Sequence, residues 1–148
     1  MMLGLHKVAR ESTFDADGFY RTGDRAKVEG GRLYFLGRLG DMIKVSGANV
    51  APSEVERELL SIAGIAAAHV VGVDDADRGQ LVGAAVVLQE GAVLEPVAIQ
   101  QVLRGRLSSY KVPKLLSVVS ADEVPTVAAG KVAKRELAAM LRRKAGVT

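Results

Sequence analysis

The sequence contains no cysteine and no tryptophan, and it has only three tyrosines, three phenylalanines and two histidines. The absence of cysteine excludes disulfide bonds, thiol nucleophiles and thiolate metal ligands, and two histidines leave little for a zinc site. So few aromatic side chains argue against a surface on which nucleic-acid bases stack. No apolar run reaches the roughly 18 residues that a membrane-spanning helix needs. We therefore expect a cytoplasmic domain without a metal site.

The residues that are present are those of a folded protein. The chain has 148 residues, of which 49% are hydrophobic and 25% are charged. This is enough for one ordinary core and a small accessory lobe. The formal net charge is +3 and the pI is near 9.3, which suits phosphate-bearing ligands. Charge alone does not identify a ligand, and a basic nucleic-acid module remains the weakest of the interpretations.

Two β-hairpins are predicted in the first third of the chain. The strand-like runs are residues 25–28, 32–36, 42–45 and 49–51, with Glu29-Gly30-Gly31 and Ser46-Gly47 as the turns. Short turns that contain glycine commonly join antiparallel strands. Because an isolated hairpin is only marginally stable in water, the first hairpin needs a further surface to pack against.

The rest of the chain predicts a small α+β domain, because its apolar residues recur at strand or helix spacing. Strands are predicted at 65–73, 81–88 and 115–119, and helices from near Pro52-Ser53 to Gly64, at 95–107 and at 134–143. Ser53 and Glu56 have the spacing of a capping box. The expected fold is a β-hairpin followed by a short sheet of about three strands, with helices packed against it.

Three segments carry a resemblance: Tyr20-Arg21-Thr22-Gly23-Asp24, the segment Gly37–Gly47 (GRLGDMIKVSG), and Gly130-Lys131. In this order they resemble the C-terminal part of the AMP-forming adenylating enzymes, which include acyl-CoA synthetases, peptide-synthetase adenylation domains and luciferases. The middle segment, continued by Ala48–Glu56, is most similar to the acyl-CoA and aryl-CoA ligases. The resemblance covers the chain from about Met2 to Leu141.

The resemblance also implies a domain division. Residues 1–39 resemble the tail end of a large N-terminal adenylation domain, with a leftover hairpin, and residues 40–148 resemble the mobile C-terminal cap. In the family the large domain holds the phosphate-cradling loop, the acid pocket and the acidic groups associated with Mg²⁺. Nothing in this sequence resembles that loop. We therefore expect a C-terminal fragment whose partner is the missing N-terminal domain of the same polypeptide.

The function that the resemblance implies is ATP-dependent ligation in two steps. A carboxylic or fatty acid and ATP give acyl-AMP and pyrophosphate, and acyl-AMP and CoA then give acyl-CoA and AMP. ATP, Mg²⁺ and CoA are expected for the full-length enzyme, with none bound tightly to the fragment, which we expect to be inactive alone. A carrier-protein thiol is the alternative acceptor. The competing interpretation is a stand-alone binding or regulatory module derived from this domain.

Lys131 is the main candidate for catalysis. The segment Pro125–Lys131 resembles the family motif whose last lysine contacts the substrate carboxylate and the α-phosphate during adenylation. A cation suits this step, because the reaction brings two anions together. The segment departs from the family pattern at Val127 and Ala129, where the family has hydroxyl side chains. The alternative is a solvated lysine that follows a turn.

Asp24 and Arg38 are the candidates for nucleotide binding. In the family, the aspartate that ends the first motif accepts hydrogen bonds from both ribose hydroxyls, a role that suits an ionised carboxylate. The arginine at the position of Arg38 contacts the nucleotide near the domain boundary. The alternatives are a turn aspartate beside Gly23 and a surface ion pair.

The hinge of the family maps onto Gly40 and its neighbour Asp41. Domain alternation requires one or two residues that absorb a large backbone change, and glycine does so without a Cβ penalty. The family usually has aspartate or lysine where this chain has Gly40. Asp41 matches the common aspartate of the motif, and the alternatives for it are a cap or an ion-pair partner.

Lys44 and Gly47 are the candidates for the second half-reaction. In the family, this lysine supports thioester formation after the hinge rotates, and the glycine leaves room for the pantetheine of CoA. The alternatives are a polar strand residue that faces water and a simple turn glycine. Lys111 and Lys114 are weaker candidates for contacts with CoA phosphates, and solvated lysines are the preferred interpretation of both.

Overall fold

In the computed structural model, residues 9–128 and 130–146 are described, and they form two compact units. One unit ends at Gly40 and the other begins at Asp41. The start of the segment that resembles the family, together with Ala129, lies outside the described residues. The assignment of residues 1–39 to the tail of a larger domain stays a prediction.

The first unit contains the first predicted hairpin, formed by strands β1 (Asp24–Glu29) and β2 (Arg32–Arg38). Its turn residues Gly30 and Gly31 both have positive φ, 57° and 74°, which a two-residue turn of this hand requires. Every residue of β1 is exposed, and Val28, Leu33 and Phe35 are 70%, 73% and 62% exposed. The hairpin therefore exposes apolar side chains.

The second unit is built on one five-stranded mixed sheet. Its elements are β3 (Ile43–Val45), β4 (Ala48–Val50), α1 (Pro52–Leu60), β5 (Ile65–Asp75), β6 (Gly79–Leu88), α2 (Pro96–Arg104), β7 (Leu115–Val118) and α3 (Lys134–Lys144). β6 pairs along its whole length with β5, while β3 and β7 pair with different parts of its other edge. The predicted α+β class is confirmed, and the second hairpin extends the expected sheet from about three strands to five.

The near-continuous apolar sequences of β5 and β6 follow from burial on both faces of the sheet. On one face Val70 and Val82 pack in a cluster with residues of α1, α2 and the β3–β4 hairpin. On the other face Val71 packs in a cluster with residues of α3. A Cβ on Gly83 would lie 2.8 Å from Val73 and 3.0 Å from Leu141, so α3 approaches the sheet where a side chain is missing.

The predicted capping box of α1 is wrong. The N-cap residue is Ala51, and Pro52 occupies the first turn of the helix, where its fixed φ is favourable. Ser53 therefore lies inside the helix, and the Glu56 carboxylate instead accepts the backbone N–H of Val70 at 2.9 Å. A capping box does occur at Ser120 and Glu123. The predicted second helix is also too long, since α2 ends at Arg104 before Gly105.

Glu123 predicts an acid-dependent component of stability. Its carboxylate accepts hydrogen bonds from the Lys144 ammonium at 2.7 Å and from the Ser120 backbone at 2.9 Å. These bonds, with Lys144 as the larger cause, lower the pKa of Glu123 from 4.5 to about 2. Because the pKa is lower in the folded state, the contribution is complete above pH 4.5 and is lost as the pH falls toward 2.

We expect Glu123→Gln to flatten the pH dependence of the urea unfolding midpoint between pH 4.5 and about 2. The replacement removes the titrating group that Lys144 and Ser120 stabilise. Glu90→Gln, at an exposed turn position, is the control. An unchanged pH profile for Glu123→Gln would show that the carboxylate contributes nothing to folding through these contacts.

Candidate functional site

Lys131 ends a tightly closed loop before α3. Thr126 and Val132 form an isolated β-bridge, and the backbone N–H of Val127 donates to the carbonyl of Lys131 at 2.8 Å. Gly130 has a φ of 71°, so the turn needs a residue that tolerates the left-handed region. The backbone on both sides of Lys131 is held in place while its side chain is exposed. The loop can therefore present an ammonium group from a fixed base.

The ammonium groups of the described lysines divide into two classes. Seven lysines lie in the described ranges, and four of them form ion pairs: Lys27, Lys111, Lys134 and Lys144. Within those same ranges, Lys44, Lys114 and Lys131 have no carboxylate partner. Unpaired ammonium groups retain their full attraction for an anionic ligand. The two lysines predicted to be catalytic, Lys44 and Lys131, therefore both fall in the unpaired class.

Lys44 lies in the middle of β3 and points away from the core. Its neighbours Ile43 and Val45 are 2% and 4% exposed, whereas Lys44 itself is exposed. The alternation follows from the two-residue period of a strand. Ser46 and Gly47 form the turn with φ values of 48° and 82°. Ser46 has a positive φ although it is not a glycine, so its backbone is strained. The predicted role of Gly47 as a turn residue is confirmed.

A cationic cleft lies beside this hairpin in the second unit. It has a volume of about 210 Å³ and is lined by Ser46, Arg78, Ser109, Tyr110 and Lys114, among others. The backbone N–H of Ser46 donates to the carbonyl of Arg78 at 2.8 Å, which brings the two residues together. Hydroxyl groups and two cations suit an anionic ligand such as a phosphate.

Lys111 is not available to such a ligand. Its ammonium donates to both carboxylate oxygens of Glu54, at 2.7 Å and 2.9 Å, and its side chain is only 19% exposed. The bond connects the first turn of α1 to the segment before β7. The preferred interpretation of a solvated lysine is therefore wrong for Lys111, which has a structural partner.

Asp24 and Arg38, the predicted nucleotide-binding residues of the first unit, are partners of each other. They are paired in the register of β1 and β2, and Arg38 Nε lies 3.1 Å from Asp24 Oδ1. The surface ion pair considered for Arg38 is therefore formed. The Arg38 side chain is 69% exposed, and its other guanidinium donors have no partner among the described residues. Binding of a nucleotide by these two residues stays a prediction.

Gly40 and Asp41 lie in a short 3₁₀ turn, Leu39–Asp41. A Cβ placed on Gly40 would have no described heavy atom within 4 Å, so the glycine is not required by crowding. The carboxylate of Asp41 lies 2.6 Å from the ammonium of Lys134, in the first turn of α3. Asp41 is thus an ion-pair partner, one of the predicted alternatives, and the hinge role of both residues remains a prediction.

Arg78 is a residue of interest that the sequence interpretation did not single out. It lies in the polar turn between β5 and β6, where no local pattern distinguishes it from other solvated turn residues. Its place beside Ser46 arises from the pairing of β3 with β6. Contacts across 32 positions have no signature in periodicity or turn chemistry, since these describe only neighbouring residues.

Neither a metal cluster nor a membrane-spanning helix is found in the part of the chain that the structure describes. Over residues 9–128 and 130–146, no three His, Asp or Glu side chains come together in a way that could hold a metal ion. No helix in those ranges is long and apolar enough to cross a bilayer.

Comparison with known proteins places this unit in a family. Residues 54–131 match the model of the AMP-binding enzyme C-terminal domain. The chain is 42% identical over 141 residues to 4-hydroxybutyrate–CoA ligase 1 of Metallosphaera sedula. The matched region covers 93% of this chain and 25% of that protein. Among the matches, the chain thus spans about a quarter of the length of its curated relatives.

Solved structures agree with the sequence match. ATP-bound MatB from Rhodopseudomonas palustris superposes with a TM-score of 0.76 at 36% identity, covering 87% of this chain and 25% of that one. MenE from Bacillus subtilis, an o-succinylbenzoate CoA synthetase in complex with the acyl-adenylate OSB-AMP, gives 0.76 at 32% identity, covering 89% and 26%. The chain belongs to the AMP-binding enzyme C-terminal domain family of the adenylate-forming acyl-CoA ligase superfamily.

Proposed function

We propose that the chain is the C-terminal catalytic part of an ATP-dependent, AMP-forming acyl-CoA ligase. The complete enzyme would convert a carboxylic acid, ATP and CoA into acyl-CoA, AMP and pyrophosphate. The observation that carries this proposal is the presence of two exposed lysines, Lys131 and Lys44, on separate segments of a unit that belongs to this family, neither with a carboxylate partner among the described residues. The relatives' much greater length supports a further domain in the complete enzyme.

Lys131 serves the first half-reaction in this proposal. A carboxylate oxygen attacks the α-phosphorus of ATP, and the bond from that phosphorus to the pyrophosphate oxygen breaks. Negative charge accumulates around the phosphorus while the two anions approach. The Lys131 ammonium, with no carboxylate partner among the described residues, offsets that charge in the transition state. Mg²⁺ supplies further charge neutralisation on the nucleotide, and none of the described residues is assigned to hold it.

Lys44 and Gly47 serve the second half-reaction. The CoA thiol releases its proton to solvent, its sulfur forms a bond to the acyl carbonyl carbon, and the bond from that carbon to the phosphate oxygen of AMP breaks, so AMP leaves. Gly47 leaves the space beside the turn open, since no described heavy atom lies within 4 Å of a Cβ placed there. The neighbouring cleft with Arg78 and Lys114 would hold phosphate groups of CoA. One hairpin thus offers both a cation and a passage.

Asp24 and Arg38 bind the nucleotide in this proposal, and Gly40 with Asp41 provides the hinge. Asp24 retains a second carboxylate oxygen besides the one that meets Arg38 Nε, and that oxygen can accept a ribose hydroxyl. Alternation about Gly40 would bring Lys131 and then Lys44 to the same acyl group, as two successive reactions require.

The 148-residue chain alone should form no acyl-CoA. We expect no pyrophosphate release above a blank with ATP, Mg²⁺, CoA and a panel of aliphatic, aromatic and dicarboxylic acids, because the acid pocket would lie in a further domain. The full-length ligase, assayed in parallel, should release pyrophosphate with at least one acid. Acyl-CoA formation by the purified chain that disappears in Lys131→Ala would contradict the proposed dependence on that domain.

A stand-alone binding module is the second candidate. The exposed apolar side chains of the first hairpin are as consistent with this module as with the ligase. Val28, Leu33 and Phe35 could contact either a further domain of the same polypeptide or a separate protein. The mass of the native product, detected with an antibody against this domain, separates the two. A product several times larger than 15.6 kDa supports the ligase, and a product at 15.6 kDa supports the module.

A further inference from the structure

Gln80, the second residue of β6, contacts the backbone of a residue assigned to thioester formation. Its side-chain Oε1 accepts the backbone N–H of Lys44 at 2.9 Å. The two residues are 36 positions apart in sequence and lie on different strands of the sheet. The contact therefore fixes the position of β3 relative to β6.

The Lys44 amide is available because of the geometry of its hairpin. Val45 and Ala48 flank the two-residue turn, and in such hairpins the flanking residues form the hydrogen-bonded pair. The next pair outward, Lys44 and Asn49, does not exchange backbone hydrogen bonds. The N–H of Lys44 thus points toward the other edge of β3, where Gln80 accepts it.

Three consecutive residues of the hairpin are attached to Arg78 and to the first two residues of β6. Ser46 donates to the carbonyl of Arg78, Val45 pairs with Gly79, and Lys44 donates to Gln80. Within the described residues, the last of these is the attachment made by a side chain. It is also the one closest to the middle of β3, so its loss would free the strand at the functional lysine.

Gly72 provides the space in which the Gln80 amide lies. A Cβ built on Gly72 would be 2.9 Å from Gln80 Nε2 and 3.0 Å from its Cδ, which is too close for a real contact. The glycine lies diagonally across from Gln80 in the β5–β6 register, on the same face of the sheet. Its own backbone does not require glycine, since no positive φ occurs there. The absent side chain therefore serves to accommodate Gln80.

We propose that Gln80 is a positioning residue for the thioester-forming half-reaction. It holds the β3–β4 hairpin in the position from which Lys44 and Gly47 reach the acyl group. This inference rests on the proposed function. Gln80 does not touch substrate, and it acts through the Lys44 backbone. Because adenylation uses a different segment around Lys131, loss of Gln80 should affect the two half-reactions unequally.

The test compares two variants that each lose a side-chain acceptor for a strand N–H. Gln80→Met removes the partner of Lys44, and Glu56→Met removes the partner of Val70, which is bonded at the same distance of 2.9 Å. In the full-length ligase, we expect Gln80→Met to slow thioester formation from supplied acyl-AMP and CoA by about 10-fold, with pyrophosphate release changed less than about twofold. Glu56→Met should leave the ratio of the two rates unchanged.

Two further variants keep the test independent of overall stability. Gln80→Glu with Asp74→Asn retains an acceptor for Lys44 without placing two carboxylates together, since Asp74 lies 3.5 Å from the Gln80 amide. This pair should restore thioester formation. Gly72→Ala leaves Gln80 in the sequence but displaces its side chain, and it should reproduce the effect of Gln80→Met. It also replaces Gln80→Met as the test if that variant does not fold.

Amide hydrogen exchange in the 148-residue chain provides a readout that does not depend on the ligase activity. Gln80→Met should accelerate exchange at Lys44 by about 10-fold, and Glu56→Met should accelerate it at Val70 and leave Lys44 unchanged. Unchanged exchange at Lys44, an equal loss in both half-reactions, or an equal effect of Glu56→Met would overturn the inference. If the full-length ligase makes no acyl-CoA at all, the proposed function fails, and exchange at Lys44 still decides whether Gln80 holds the hairpin.

Discussion

Replacing Lys131 by alanine in the full-length ligase should slow adenylation by about 10²–10³-fold, the scale on which one transition-state stabiliser acts. The Lys131 ammonium has no ion-pair partner in the described part of the chain, so its removal breaks no ion pair there. The expected loss is therefore the attraction between the ammonium and the anionic transition state. The loop should remain closed, because the bonds that hold it join the backbones of Val127, Lys131 and Gly130. Single-turnover release of pyrophosphate measures this step.

Thioester formation from supplied acyl-AMP should be nearly unaffected in Lys131→Ala, because the proposed second step uses Lys44 instead. Arg135→Ala is the matched control, since it removes another exposed cation close to the same loop. It should leave the adenylation rate within about twofold of the parent, because an exposed surface charge contributes little. A loss of equal size in both half-reactions of Lys131→Ala would rule out separate roles for the two lysines.

Gly47→Leu should have the opposite pattern, slowing thioester formation by about 10²-fold while adenylation stays within about twofold. In this account the loss is steric, because a side chain would enter the space through which the CoA thiol reaches the acyl group. The surrounding residues do not themselves exclude a side chain, since no described heavy atom lies within 4 Å of a Cβ on Gly47. Quenched-flow detection of acyl-CoA from purified acyl-AMP measures the effect.

The strain of a positive φ must be separated from the loss of the passage. Gly47 has a φ of 82°, and a leucine there costs about 1–2 kcal/mol in stability. Gly91→Leu is the control, because Gly91 lies in another turn with a φ of 76° and an equally open Cβ position. Both variants should lose similar thermal stability. If Gly47→Leu and Gly91→Leu slow thioester formation equally, backbone strain explains the result and a blocked passage for CoA does not.

The elements predicted from sequence were those specified by neighbouring residues. Gly30-Gly31 and Ser46-Gly47 mark the two hairpins because a tight turn needs positive φ at adjacent positions. The helices were recognisable by their apolar spacing. The capping box at Ser53 failed because Pro52 already defines the first turn of α1. Local sequence patterns are reliable for elements whose conformation depends only on residues that are close in sequence.

The parts that sequence could not predict depend on contacts between distant segments. The joining of the β3–β4 hairpin to β6, the cleft beside Arg78 and the hydrogen bond from Lys44 to Gln80 all follow from one strand pairing. The sequence does not reveal the structural partner of Lys111, because Glu54 is 57 residues away along the chain. The resemblance named candidate residues, and only the fold shows which of their charges are already paired.

The separate roles of the Lys131 loop and the β3–β4 hairpin are tested by the ratio of the adenylation rate to the thioester-forming rate in one full-length ligase preparation. Both single-turnover rates would be measured for the parent, Lys131→Ala and Gly47→Leu under the same conditions. We expect the ratio to fall by about 10²-fold or more in Lys131→Ala and to rise by about 10²-fold in Gly47→Leu. A ratio that stays constant in both variants would contradict the assignment of the two half-reactions to two segments of this domain.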